Sequence, residues 1–60
     1  MTVRPRRLAA IRSILLTSHP RNQGDFVRLL SREGVGATQA TLSRDLRELG
    51  VLKGPDGYFL

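Results

Sequence analysis

Two amphipathic stretches separated by only Val35–Thr38 are the tightest constraint on how this 60-residue chain can fold. Upstream, "NQGDFVRLLSREG" puts Phe26, Leu29 and Leu30 on one helical face, with Val27 at its edge. Downstream, "ATQATLSRDLRELG" repeats that logic with Leu42, Leu46 and Leu49. Asn22 and Thr38 are suited to cap the two helix starts, and Asp25 places a carboxylate beside the positive helix end. Gly34 and Gly50 supply the left-handed stops. A link this short forces an angled helix pair, as in helix-turn-helix units.

The flanking segments complete one small domain spanning residues 1–60. From about Arg4 to Thr17, Leu8, Ile11 and Leu15 form a helical stripe widened by Ile14, with Pro5 in the first turn and Pro20 as the stop. After Gly50 the period changes. "VLK" and "YFL" are short β-prone runs around "GPDG", whose Pro, Asp and Gly suit a type I turn followed by a residue of positive φ. Such a hairpin is marginal alone and must rest on the helices through Val51, Tyr58 or Phe59, and Leu60. The fold class is therefore mainly α with a small β-hairpin: three helices and a two-stranded wing. With no cysteine, disulfide staples and thiolate metal sites are excluded, in keeping with a reducing compartment. The start "MTVRPRRLAAIRSILL" is not expected to be a signal peptide, because Arg12 interrupts its apolar part and no small-residue cleavage site follows. No run approaches the roughly 20 apolar residues of a membrane span, and a cytoplasmic location is expected.

Charge narrows the partner. Ten Lys and Arg oppose five Asp and Glu, for a net charge of +5. Nine of the ten cations are Arg, whose flat donor fork suits phosphates and guanine edges. Residues 1–21 carry Arg4, Arg6, Arg7, Arg12 and Arg21 and no acid. A basic pole of this kind favours a polyanion, nucleic acid before anionic membrane; a merely soluble basic face is the plainer alternative.

The third helix carries the chemistry. With Leu42 at zero and about 100° per residue, Leu46 and Leu49 fall within about 40°, while Ser43, Arg47, Ala40 and Arg44 fall between about 100° and 200°. Gln39 sits at the front edge. Arg can pair with both acceptors of guanine and Gln with both positions of adenine, and Ala can touch the thymine methyl. A small residue among longer ones lets a helix sink into the major groove. Base contacts are thus expected from Gln39, Ala40, Ser43, Arg44 and Arg47. Phosphate contacts are expected from Thr38 and Thr41 at the helix start, from Arg4, Arg6, Arg7 and Arg12, and from Lys53 in the hairpin. Asp45 and Glu48, at about 300° and 240°, lie off the reading face and can hold Arg side chains in position. Taken alone, this pattern is also compatible with a solvated helix surface.

Other chemistries find less support. His19 is the sole histidine and has no close ligand partners in sequence, so a metal site is not expected. Ser31, Ser43 and Asp45 form no nucleophile–base arrangement with it, and no glycine-rich phosphate loop follows a strand, so no enzyme and no catalytic residue is expected. Tyr58 and Phe59 can stack on single-stranded bases, although one ring in the core and one partly exposed is the commoner outcome for adjacent aromatics. A winged-helix protein-interaction module and a single-stranded nucleic-acid binder stand as alternatives to duplex DNA reading.

"TQATLSRDLRELG" resembles the recognition-helix motif of the bacterial arginine repressors. The order of elements resembles their N-terminal DNA-binding domain, from about Leu8 to Leu60: a basic helix, "QGDFVRLLSREG", a short turn, the motif, and a hairpin ending "YFL". That resemblance implies a winged helix-turn-helix whose Ser43 and Arg44 contact a palindromic duplex operator, with Gln39 as a further groove contact. It implies repression of arginine biosynthesis genes, with full-length members forming trimers and hexamers through a C-terminal domain that binds the co-repressor L-arginine. This chain, ending at Leu60, is expected to lack that domain, to hold no cofactor, and to be a monomer in solution that pairs on DNA. Because the "GPDG" turn is short and Lys53 is the hairpin's only cation, the wing is expected to touch a backbone phosphate rather than enter the minor groove.

Overall fold

The computed structural model describes residues 3–60, with side chains from residue 4 onward. Met1 and Thr2 of the basic start lie outside the described residues. Three helices, α1 (Val3–Thr17), α2 (Gln23–Arg32) and α3 (Gln39–Leu49), precede strands β1 (Leu52–Gly54) and β2 (Gly57–Phe59). The strands pair antiparallel in the register Leu52↔Phe59, Lys53↔Tyr58 and Gly54↔Gly57, so the chain reverses over Pro55 and Asp56. This is a winged helix-turn-helix, mainly helical with a small hairpin.

Each helix turns its apolar stripe to one shared core. Ile11, Phe26, Leu30 and Leu42 are fully buried, and Ile14, Leu15, Val35 and Leu46 complete the cluster. Leu8, Leu29 and Leu49 pack against it only partly buried. The helix starts follow the expected caps: Asn22 Oδ1 accepts from Asp25 N–H at 2.8 Å, and Thr38 Oγ1 accepts from Thr41 N–H at 3.1 Å.

The helix ends explain a core residue that periodicity passes over. Gly34 and Gly50 both have φ of 77°, and each is followed by a valine. Val35 N–H donates back to the Leu30 carbonyl and Val51 N–H to the Leu46 carbonyl, both at 2.9 Å. In this closure the residue after the glycine packs against the helix it has just left. Val35, part of the link by sequence, is therefore buried.

The hairpin docks through one ring and one backbone bond. Tyr58 meets Phe26 edge-on, with centroids 5.3 Å apart, and its N–H donates to the Pro20 carbonyl at 3.4 Å. Burial pushes the Tyr58 hydroxyl pKa up from its ordinary value. Gly57 permits this approach: its φ is 122°, and a Cβ there would lie 2.7 Å from the Pro20 carbonyl oxygen. Strand alternation decides between the two aromatics. With Tyr58 turned to the helices, Phe59 is half exposed. Leu60 is 65% exposed, so the expectation that it anchors the hairpin is corrected: it lies beyond the last strand pair.

Leu46 is 5% exposed within the core. Leu46→Ala should cost about 2–5 kcal/mol of stability, read by thermal or urea unfolding. An unchanged unfolding midpoint would contradict the assignment of this face of α3 to the core.

Candidate nucleic-acid interface

The candidate interface is what α3 leaves outside once its leucines are buried. Thr38 and Gly50 fix where the helix starts and stops, and Leu42 and Leu46 set its rotation. Gln39, Ala40, Arg44 and Arg47 are then exposed, while Thr41 and Ser43 are half-buried beside them. Among the described residues, neither Arg44 nor Arg47 has an ion-pair partner. The helix thus presents two free guanidinium forks around an alanine.

The acids of α3 are kept away from that face. Asp45 is only 3% exposed and receives two hydrogen bonds from Arg7 of α1, one from Nε and one from Nη2 at 3.2 Å. Glu48, one turn further on, pairs with Arg4 across the exposed surface. Arg4 and Arg7 are spaced as Glu48 and Asp45 are, so two turns of α1 meet two turns of α3 in register. The Arg7 pKa is raised, first by its hydrogen bond to Asp45 and further by that charge, against the opposing effect of burial. A forked donor matching both carboxylate oxygens is the strong form of such a pair.

The other expected contacts sort by position. Arg6, Arg12 and Lys53 are exposed, Lys53 with its Nζ 5.8 Å from the Tyr58 ring centroid. Arg7, grouped by sequence with the backbone cations, is instead turned onto Asp45, its side chain only 14% exposed. Arg4 shares its charge with Glu48. Thr38 and Thr41 lie together at the start of α3, where the Thr38 hydroxyl donates to the Thr41 hydroxyl at 3.1 Å. His19 is exposed in the α1–α2 connection with φ of 50°. A concavity of about 440 Å³, lined by His19, Arg21, Asp25, Arg28 and Arg32 among others, borders the other flank of α2 and takes in none of the reading residues.

Sequence reasoning missed one contributor outright. Gln23, in the first turn of α2, donates from Nε2 to Ser43 Oγ at 3.3 Å. No periodicity marks this bond, which depends on the angle between two helices. The Arg7–Asp45 pair did leave a trace: two basic and two acidic residues at equal spacing on different helices.

The family described as "Arginine repressor, DNA binding domain" matches residues 2–58. The chain belongs to the arginine repressor family. It is 55% identical over 53 residues to an arginine repressor of Koribacter versatilis, covering 87% of this chain and 35% of that one. It is 48% identical over 50 residues to one from Chlorobium phaeovibrioides, covering 83% and 34%. An arginine repressor of Streptococcus equi subsp. zooepidemicus shares 47% over 47 residues, covering 78% and 32%. The chain therefore spans about a third of the length of the curated relatives it matches. No solved structure matches it. Family membership makes this a DNA-binding domain of the arginine repressor type, and Arg44 and Arg47, unpaired among the described residues, lie on the outer face of its third helix.

Breaking the α1–α3 pair from the arginine side leaves the buried Asp45 charge without a partner. Arg7→Ala should therefore destabilise the domain by about 3–5 kcal/mol in urea unfolding. Replacing both residues, Arg7→Met with Asp45→Leu, should recover most of that loss. Equal loss in the single and double variants would contradict the pairing.

Proposed function

We propose that this domain reads duplex operator DNA by laying α3 in the major groove. The observation that carries the reading is the division of α3: leucines and Asp45 face inward, while Gln39, Ala40, Arg44 and Arg47 face outward with Ser43 at their edge. Arg44 and Arg47 supply forks for guanine, Gln39 an amide for adenine, and Ala40 a surface for a thymine methyl. Thr38 and Thr41, with the N–H groups at the start of α3, hold a phosphate, and Arg6, Arg12 and Lys53 lie along the backbone. Arg4 adds charge there from its pair with Glu48. We assign Arg7 to holding α3 rather than to phosphate.

In the full-length protein the same reading makes this domain the operator-binding part of an oligomer that represses arginine biosynthesis genes. L-arginine would act as co-repressor on a separate C-terminal domain that also builds trimers and hexamers. One copy alone binds weakly and is monomeric; linking copies raises the effective concentration of the second binding event. Two copies on a palindrome would sit about one helical turn, roughly 10 bp, apart. The work is done in the cytoplasm, without catalysis. Among the described residues, no helix is long and apolar enough to cross a membrane.

The aromatic pair gives little support to single-strand binding, since Tyr58 is committed to Phe26 and only Phe59 is substantially exposed. A protein-docking role predicts no preferred duplex, any residual binding of so basic a chain being equal on every sequence. A reader making about four phosphate contacts predicts a log–log salt slope near −3.6. Within that titration, Arg44→Ala should weaken binding to the preferred duplex by about 1–3 kcal/mol and relax base preference, while the fold survives. Equal loss on preferred and random duplexes would make Arg44 a phosphate contact instead.

A further inference from the structure

The bond between α2 and α3 has a direction. Gln23 Nε2 donates to Ser43 Oγ at 3.3 Å, across two helices whose relative position is fixed by Phe26, Leu30 and Leu42. Asn22 fixes the start of α2 by accepting from Asp25 N–H, so Gln23 leaves a capped first turn. Both partners are half-buried beside exposed neighbours, at the edge of the reading face.

A serine hydroxyl has one proton to give and two lone pairs to offer, and left free it can meet either a donor or an acceptor on a base edge. An amide N–H directed at Ser43 occupies one of its two lone pairs and leaves the proton and a single lone pair, which tilts the exposed side of the hydroxyl toward donating. We propose that Gln23 is a specificity-positioning residue, which orients Ser43 so that its hydroxyl donates into the groove. Ser43 then selects a base acceptor (guanine O6 or N7, adenine N7, thymine O4) over the amino groups of adenine and cytosine. Gln23 itself touches no base. This rests on the reading of Ser43 as a base contact.

The chemistry distinguishes glutamine from its nearest relative. A carboxylate at position 23 can only accept. It would take the Ser43 proton and leave a lone pair toward the DNA, reversing the preference at that one base pair.

The test lets the 60-residue chain select duplexes from a pool randomised across an operator-length window, alongside Ser43→Ala, Gln23→Ala and Gln23→Glu, with thermal melts of all four. Ser43→Ala should flatten the base preference at one position of each half-site. Gln23→Ala should flatten that same position and raise the Kd for the wild-type duplex about 3- to 10-fold, the scale of one neutral hydrogen bond. Gln23→Glu should move that position toward a base presenting an amino group. If Ser43→Ala leaves every position intact, the base-reading role of Ser43 fails and this inference fails with it. If Ser43→Ala flattens a position that Gln23→Ala leaves sharp, only the inference about Gln23 falls. It also falls if Gln23→Ala lowers the melting temperature and weakens all duplexes alike, because Gln23 would then be a packing residue. Flattening of a different position would make Gln23 a base contact, again contrary to the proposal.

Discussion

A carboxylate taken out of water must find a partner or lose its charge, and Asp45 has found Arg7. That requirement ties the first turns of α1 to the middle of α3, a contact the apolar core alone does not specify. Leucines set the rotation of α3 about its axis; the ion pair, with Glu48 and Arg4 one turn on, sets its neighbour and register. Buried pairs of this kind add little net stability over an apolar substitute, and their best-attested value is in fixing register. In the proposed complex, that register decides which residues meet the groove.

The rest of the structure is arranged around that helix. Capped starts and glycine stops fix the lengths of α2 and α3, and the valine after each glycine returns to the core. The hairpin closes the open side of Phe26 through Tyr58 and hangs its backbone on Pro20. Apart from Thr38 at the α3 cap and Lys53 in the hairpin, which also meet phosphate, these devices stay clear of the ligand in the proposed complex. They hold one surface still, which is what groove recognition demands of so small a domain.

Much of this was legible in the chain. The leucine spacing, the Asn22 and Thr38 caps, the stops at Gly34 and Gly50 and the turn at "GPDG" are local, and local rules governed them. Val35 reads as link because its burial comes from the helix-ending geometry rather than from periodicity. Leu60 reads as one of the hairpin's contacts with the helices and is exposed instead, since it follows the last paired residue. Arg7 reads as a phosphate cation because a basic run looks alike whether its members face solvent or an acid. Its partner lies 38 residues away. Gln23 was invisible for the same reason: its bond to Ser43 belongs to the angle between helices, which no single stretch encodes.

Presentation of α3 is tested most directly by isotope-filtered NMR of the labelled chain on an unlabelled palindromic duplex. Contacts should run from Ala40, Ser43 and Arg44 to major-groove base protons and thymine methyls, with Leu42 and Leu46 in contact only with their own core. Contacts to the groove from α1 or the hairpin alone, with α3 silent, would contradict the account.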